Sequence, residues 1–132
     1  MTRHRRHGNE RGSAVVDFVL VGGLVVLLTM GLLQLTLVLH VRNTLTDCAS
    51  EGARYGALDG NDASDGAARA AELAEQSLSA AYAGEVTARR VERGGVELVE
   101  VTMSAPLPLV GLLGPGGRLT VTGHAVAEDA LP

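Results

Sequence analysis

A long uninterrupted apolar run dominates the pattern of hydrophobic and polar positions along this chain. Residues 18–41 form twenty-four consecutive positions without a single Asp, Glu, Lys or Arg. A helix needs about 20 mainly apolar residues to cross a hydrocarbon core about 30 Å thick. The run, together with the apolar positions just before it, therefore predicts a transmembrane helix over residues 13–41.

The helical pattern continues beyond the apolar run. Residues 42–58 contain no proline, and Glu51 and Arg54 stand three positions apart, as neighbours on one helix face. A single helix over residues 13–58 would be about 69 Å long at 1.5 Å per residue, which exceeds the thickness of a bilayer. We therefore expect residues 42–58 to extend the helix outside the membrane, where Glu51 and Arg54 are candidates for helix packing.

The stretch DGNDASDG at residues 59–66 is typical of a turn, with Ser64 or Asp65 expected to cap the next helix. Its acidic side chains also suggest a calcium loop, because calcium is bound by several oxygen ligands. However, Ala63 and Ser64 stand where the EF-hand spacing requires an Asp or Asn and a glycine. We therefore interpret this stretch as a solvated turn.

An alanine-rich amphipathic helix is predicted over residues 66–83, and Gly84 is well placed to end it. An alanine-lined face approaches its neighbours closely, so we expect this helix to pack on a sheet or on the long helix. The predicted apolar face consists of Ala71, Ala74, Leu78, Ala81 and Tyr82.

A change to alternating positions after residue 84 predicts a β-hairpin. Gly94 and Gly95 form a two-residue turn of the kind that hairpins favour, and pairing Arg93 with Val96 sets the register. One face of this hairpin is apolar and the other polar, as expected when only one face is buried. The pairs are Val86–Met103 and Ala88–Val101 on the apolar face, Thr87–Thr102 and Arg89–Glu100 on the polar face, and Arg90–Val99 and Glu92–Glu97 near a solvent-exposed tip.

A third strand is predicted at RLTVTGHAVAED, with Leu119 and Val121 pointing inward and Thr120, Thr122 and His124 pointing outward. Residues 105–117 before it are rich in proline, glycine and leucine. We expect this apolar loop to pack in the core, with a partner-binding surface as the alternative. The sequence therefore predicts an α+β protein: a long N-terminal transmembrane helix extending into a small head over residues 59–132, with one helix and a three-stranded antiparallel sheet.

The charge distribution sets the expected orientation. All eleven basic residues are arginines; residues 1–12 carry a net charge of +3 and the other 120 residues carry −7. Positive flanks stay in the cytoplasm, so we expect residues 1–12 to be a cytoplasmic leader of a single-pass cell-membrane protein whose head is extracytoplasmic. Membrane lipid is then a partner. The acidic body contains only three aromatic residues, which argues against a nucleic-acid partner.

A cleavable secretory signal is the competing interpretation of the apolar run. Such signals have an apolar region of about 7–15 residues followed by a small-residue cleavage site. This run is longer, and Asp47 stands where a small residue belongs. Cys48, the single cysteine, allows no intramolecular disulfide; we expect it to be buried, with an intermolecular bridge as the alternative.

No catalytic or cofactor motif is visible in the sequence. It lacks the G-x-S-x-G and H-E-x-x-H patterns and a paired-cysteine metal site, and its histidines have no convincing ligand spacing. We therefore expect no enzyme activity, no metal and no cofactor.

One segment carries a family resemblance. GSAVVDF at residues 12–18, preceded by arginines and followed by an uncharged helix, resembles the class III signal of type IV pilin-like proteins. More narrowly, it is similar to the TadE family of tight-adherence (Flp-type) pilus assembly proteins. ASEGARYG at residues 49–56 is also similar to that family. The resemblance covers residues 10–57.

The resemblance implies a non-catalytic pilin-like minor subunit (a pseudopilin) of a Flp/Tad-type pilus or related secretion machine. A prepilin peptidase would cut between Gly12 and Ser13, which makes Asp17 the fifth and Phe18 the sixth mature residue. The family usually has glutamate at the fifth position, so the aspartate is a departure. The implied partners are the prepilin peptidase, other pilin-like subunits and membrane assembly proteins, with a surface pilus as one location.

The chemistry of Asp17 is consistent with that role. Cleavage would create an α-amine at Ser13, and such amines have a reference pKa of about 8 and are largely protonated at neutral pH. Asp17 of one subunit would meet the Ser13 amine of a neighbour and fix the register between them. The alternative is that Asp17 lies unpaired at the cytoplasmic interface of an uncleaved, single-pass membrane-anchored binding protein.

Overall fold

The structure, a computed structural model, describes residues 7–107 and 117–131. The chain divides into two units, Met1–Thr36 and Leu37–Pro132. It contains helices α1 (His7–Ala57) and α2 (Ala63–Ser77), strands β1 (Glu85–Arg93), β2 (Val96–Pro106) and β3 (Arg118–Val126), and two short 3-10 turns, Ala80–Tyr82 and Glu128–Ala130. The predicted α+β architecture, with a long N-terminal helix, a second helix and a three-stranded antiparallel sheet, is confirmed.

The first unit contains most of the apolar run of α1, and the side chains of this part are almost all exposed. The helix begins at His7, six residues before Ser13, so the end of the basic segment is helical as well. The hydroxyls of Thr29 and Thr36 each donate to the carbonyl four residues earlier, at 2.8 Å, which satisfies them within the helix itself. Within the described residues, α1 is the one helix long and apolar enough to cross a membrane.

The second unit is built around the C-terminal part of α1. Its buried positions recur at spacings of three and four, which places them on one face of the helix against the sheet and α2. Cys48 belongs to this face and is only 5% exposed, as the packing interpretation expected. The buried residues of this part of α1 are Val41, Leu45, Cys48, Ala49, Gly52, Ala53, Gly56 and Ala57.

The start of α2 differs from the prediction. Asp62, rather than Ser64 or Asp65, is the N-cap: its carboxylate accepts from the Asp65 amide at 3.0 Å, and the Asp65 carboxylate accepts from the Asp62 amide at 2.9 Å. This reciprocal capping box satisfies two of the free donors at the helix start. The Ser64 hydroxyl also donates to Asp62, so the polar oxygens of this turn serve the helix start.

The end of α2 also differs from the prediction. The helix stops at Ser77 instead of continuing to residue 83, and Gly84 does not end it. Leu78 and Tyr82 pack against the core on either side of an extended Ser79, so tertiary packing overrides the helix propensity of the alanines. Of the predicted apolar face, Ala74 is buried, whereas Ala81 is exposed; Gly66 and Ala70 are buried but were not predicted. The helix packs on the long helix, where Gly66 lies against Gly52 and Gly56 of α1. It also packs on the sheet, where it contacts β1 and β2.

The hairpin register is confirmed at every predicted pair, from Val86 opposite Met103 to Arg93 opposite Val96. Gly94 and Gly95 have φ values of 63° and 79°, the left-handed conformation that a tight primed turn requires at both positions. The tip residues 92–96 are exposed, as expected.

Strand β3 completes an antiparallel sheet of order β1-β2-β3. Val121 is buried and Leu119 half-buried, whereas Thr120, Thr122 and His124 are exposed, so the predicted faces are confirmed. Most of the apolar loop predicted at 105–117 lies outside the described residues; its two ends are joined by a hydrogen bond from the Leu107 amide to the Gly117 carbonyl.

Candidate assembly site on the first helix

The predicted processing and assembly residues lie in the first unit, on the exposed surface of α1. Gly12, Ser13, Asp17 and Phe18 are all exposed, and Phe18 is 79% exposed. Asp17 forms no ion pair with any residue in the part of the chain that the structure describes. An unpaired carboxylate and a bare aromatic ring therefore stand next to each other at the start of the apolar run.

Helix geometry brings Ser13 and Asp17 to the same side of α1, because residues four apart are neighbours on a helix surface. In the intact chain the nitrogen of Ser13 is an amide inside the helix. A cut at Gly12–Ser13 would turn it into a charged amine at a new helix start. The positive end of the helix dipole would then add to the positive potential around Asp17.

The second predicted pair, Glu51 and Arg54, lies in the other unit. The Glu51 carboxylate and the Arg54 guanidinium are 3.9 Å apart, and both side chains are well exposed. Gly52 and Ala53 between them are buried. The EGAR stretch therefore has two sides: a charged pair on the surface and two small residues against the head core.

The small residues of this stretch have a structural reason that was not predicted. A Cβ at Gly52 would lie 2.6 Å from the Gly66 carbonyl oxygen, and one at Gly56 would lie 2.9 Å from the Asp62 carbonyl oxygen. The backbones of α1 and α2 are thus in contact, and only glycine fits at these positions. The signal for this packing is the pair of glycines four residues apart on one helix face.

A charge cluster around the buried Glu100 was predicted only in part. Glu100 on β2 is only 5% exposed, and its carboxylate accepts from Arg89 at 2.8 Å, from His124 at 2.8 Å and from Arg93 at 3.4 Å. These hydrogen bonds, that of Arg89 first and then that of His124, hold the pKa of Glu100 below its ordinary value. The hairpin register predicted the Arg89 contact, whereas the contact with His124 depends on the pairing of β2 with β3, which was not predicted.

Arg90 ties the hairpin to the C-terminal segment. Its guanidinium donates to Glu97 at 3.0 Å and to both carboxylate oxygens of Asp129 at 3.2 and 3.0 Å. It lies on the core face of β1, opposite Val99. The sequence pattern offered no reason for a charged residue at this position. Among the described residues no three His, Cys, Asp or Glu side chains gather in a way that could hold a metal ion.

The comparison with protein families bears on the first helix. The family model described as TadE-like protein matches residues 12–54. Over these residues the chain is similar to TadE-like proteins. The match begins at Gly12, includes Asp17 and Phe18, and ends at Arg54. Neither the curated proteins nor the solved structures yielded a match to the chain.

The TadE-like segment and the apolar helix together fit a membrane protein associated with a Tad pilus. The matched residues include the whole apolar run as well as the charged and buried positions of the EGAR stretch. The sheet and α2 lie outside the match. The similarity therefore concerns the helix that carries the candidate assembly residues.

Proposed function

We propose that this protein is a non-catalytic pilin-like minor subunit (a pseudopilin) of a Flp/Tad-type pilus or related secretion machine. In this proposal a prepilin peptidase cuts between Gly12 and Ser13, and the mature chain assembles through α1 with other pilin-like subunits. The observation that carries the proposal is Asp17, an exposed and unpaired carboxylate on an apolar helix, inside a TadE-like segment that starts at Gly12.

The energetics favour a partner for Asp17. A carboxylate at the centre of a bilayer costs about 2.5–3.5 kcal/mol on insertion scales, and the cost falls toward the interface. Asp17 is near the start of the apolar run, so the monomer tolerates it. Contact with a neighbour's Ser13 amine would pair two opposite charges in a poorly hydrated setting, where their attraction is stronger than in water.

The neighbouring residues support the same arrangement. Phe18 exposes 79% of its surface in the single chain, so its ring is available to pack against another helix. A large aromatic ring beside the charge would shield the ion pair and pack into the adjacent helix. The Asp17–amine contact would then set the axial register, and the apolar run would supply the contact area.

Substitution of Asp17 tests the proposal in cells that carry their own Tad system. We expect Asp17→Ala and Asp17→Asn to reach the membrane at normal levels but to be lost from assembled complexes recovered by crosslinking. Asp17→Glu should retain assembly, because it keeps the charge and matches the residue that the family usually has. Asp47→Ala, which removes an exposed acid of α1 in the second unit, is the control.

If Asp17→Ala assembles as well as the unaltered chain, the carboxylate is a passive interfacial residue. That result would remove the role proposed for Asp17 and favour the alternative, a single-pass membrane-anchored binding protein whose contacts do not depend on this carboxylate.

A further inference from the structure

The core of the head begins before the apolar run of α1 ends. Val38 is half-buried and Val41 is only 2% exposed, although both belong to the uncharged run at residues 18–41. Leu119 of β3 packs against the core cluster that contains Val41, and all three residues belong to the second unit. The head therefore follows the apolar run without a polar spacer, and one end of the head lies where the run ends.

The position of β3 along this part of α1 follows from two contacts. Gly123 lies against the backbone of Ala49 and Ser50, and the Asp59 amide donates to the Glu128 carboxylate at 3.2 Å. Strand β3 thus runs in the same direction as α1, away from the apolar run. One strand residue rises about 3.3 Å, which is about as far as two helix residues at 1.5 Å each.

The start of β3 is level with the end of the apolar run. Counting back along the strand at this ratio, Leu119 is level with Val41, and Gly117 is level with about Leu37. The Leu107 amide donates to the Gly117 carbonyl at 2.9 Å, so the end of β2 lies at the same level. The connection between β2 and β3 therefore leaves the sheet on the side from which α1 enters the head.

A bilayer reaches this level. Starting at Phe18, about 20 helical residues cross the hydrocarbon core and end near Leu37. The polar layer outside the core adds about 5–7 Å, or about four helical residues, and ends near Val41. The part of β3 from Leu119 back to Gly117 is then inside the polar layer, and Gly117 is at its boundary with the hydrocarbon.

The composition of the chain fits this location. We define Leu107, Gly117 and Arg118 as the proximal end of the head. Residues 108–116, which start and finish there, have no charged or hydrogen-bonding side chain, and four of the nine are leucine or valine. The hairpin tip at the other end of the sheet, residues 92–97, has three charged residues among six. Aliphatic side chains gain about 25 cal/mol per Å² on leaving water, and lipid offers that gain at the proximal end alone.

We propose that the proximal end of the head lies against the lipid surface of the membrane that α1 crosses, so that the lipid contact of α1 continues onto the head. Leu107 meets the boundary of the acyl chains. Arg42 is exposed one residue beyond the apolar run and forms no ion pair with any described residue, whereas Arg118 pairs with Glu85. Arg42 is therefore the arginine that contacts lipid phosphate, as arginines at the ends of membrane spans do.

Spin labels along β3 measure this contact. The full chain, with Cys48→Ala, is placed in vesicles of phosphatidylcholine and phosphatidylglycerol that contain no other protein. Single substitutions Arg118→Cys, Thr122→Cys and Val126→Cys carry the label at exposed positions on the outer face of the sheet, in steps of about 13 Å. Oxygen, which partitions into lipid, and a water-soluble nickel chelate, loaded on both sides of the membrane, then compete to relax each label.

We expect the chelate to relax the label least at Arg118→Cys and most at Val126→Cys, with Thr122→Cys between them, because the three positions rise out of the lipid in that order. Oxygen should show the opposite order. A label at Leu107→Cys should be the most protected from the chelate while staying open to oxygen. Val96→Cys is the matched control at the hairpin tip and should be fully open to the chelate.

Equal access of the chelate to all the positions on β3 would overturn the proposal, because the head would then stand clear of the lipid. Low access of both reagents at Leu107→Cys and Arg118→Cys would overturn it too, because protein would then cover this end. A gradient found in native membranes but absent from the vesicles would assign the proximal end to a protein partner instead of lipid.

The lipid contact goes beyond the proposed pilin function and does not depend on it. It requires neither cleavage at Gly12 nor the charge of Asp17. Asp17→Ala should leave the gradient along β3 unchanged while it removes assembly. A flat gradient with normal loss of assembly in Asp17→Ala would therefore reject the lipid contact alone, and the reverse result would reject the pilin proposal alone.

Discussion

The backbone of Gly52 in α1 lies in direct contact with the backbone of Gly66 in α2. The carbonyl oxygen of each lies 2.6 Å from the position that a Cβ on the other would occupy. A small head with few aromatic side chains gains its packing from such close approach. The EGAR stretch thus contributes to the head core through its glycine and alanine, and presents its charges on the surface.

Gly52→Ala should destabilise the head. The added methyl would meet the Gly66 carbonyl and the Ala70 Cβ, both at 2.6 Å, and overpacking of this kind costs about 1–3 kcal/mol. Improved helix propensity would return about 1 kcal/mol. We expect a net loss of up to about 2 kcal/mol in urea unfolding of the full chain in detergent, followed by tyrosine fluorescence. Gly84→Ala, where a Cβ meets nothing within 4 Å, should leave stability nearly unchanged; an equal loss there would refute this explanation.

Acid should weaken the head through Glu100. Its pKa is lowered in the folded state by the hydrogen bonds from Arg89 and His124, so its stabilising effect is complete above its ordinary value of 4.5. That stabilisation disappears as the pH falls through the lower folded value, where the folded carboxylate takes up its proton. Glu100→Gln should therefore flatten the loss of stability between pH 5 and more acidic conditions, measured by urea unfolding at a series of pH values. Glu92→Gln, an exposed change at the hairpin tip, should leave the acid dependence as steep as before.

Arg90 should hold the C-terminal segment in place. Its contacts with Asp129 are lost in Arg90→Gln, and the amides of Ala130 and Leu131, which donate within the last 3-10 turn, should exchange faster. Hydrogen exchange read by mass spectrometry measures this directly. The matched control is Arg54→Gln, which removes an arginine from a surface pair remote in sequence from this turn. Unchanged exchange at residues 127–131 in Arg90→Gln would show that the turn holds without the arginine.

The thiol of Cys48 should react slowly in the folded protein. It is 5% exposed, and burial, together with nearby Asp47, raises its pKa and lowers the fraction present as reactive thiolate. We expect maleimide labelling to be slow until urea unfolds the head, and a non-reducing gel to show no disulfide-linked dimer. Asp47→Cys in a Cys48→Ala chain places a thiol on the exposed neighbouring position and should label quickly. Fast labelling of native Cys48 would contradict its burial.

Local patterns in the sequence predicted the sheet better than the helix ends. The glycine pair and the alternation of polar and apolar residues fixed the hairpin register, because one face had to be buried. The start of α2 was mistaken since Asp62, Ser64 and Asp65 are all good caps, and only the reach of the Asp65 side chain back to the Asp62 amide decides between them. The contact between Gly52 and Gly66 involves no side chain on either helix, so no hydrophobic pattern could predict it.

For the candidate assembly site, the sequence pointed to the residues, but the structure of one chain shows no contact that explains them. Gly12, Ser13, Asp17 and Phe18 were selected by their resemblance to a family signal, and the TadE-like match covers all four. Their geometry in a single chain is simply an exposed helix surface, because the contacts that would give them a role are contacts with other chains. By contrast, the burial of Glu100 depends on β3, and its pairing with β2 was not predicted.

The most direct test of the central claim is the N-terminus of the mature protein, determined by sequencing of material isolated from membranes of cells with their own prepilin peptidase. We predict a chain that begins at Ser13, and an unprocessed chain when Gly12 is replaced by a bulky residue. A mature chain beginning at Met1 or Thr2 would contradict this prediction and indicate a plain membrane anchor. A start beyond Val41 would contradict it differently, because the apolar run would then be a cleaved secretory signal.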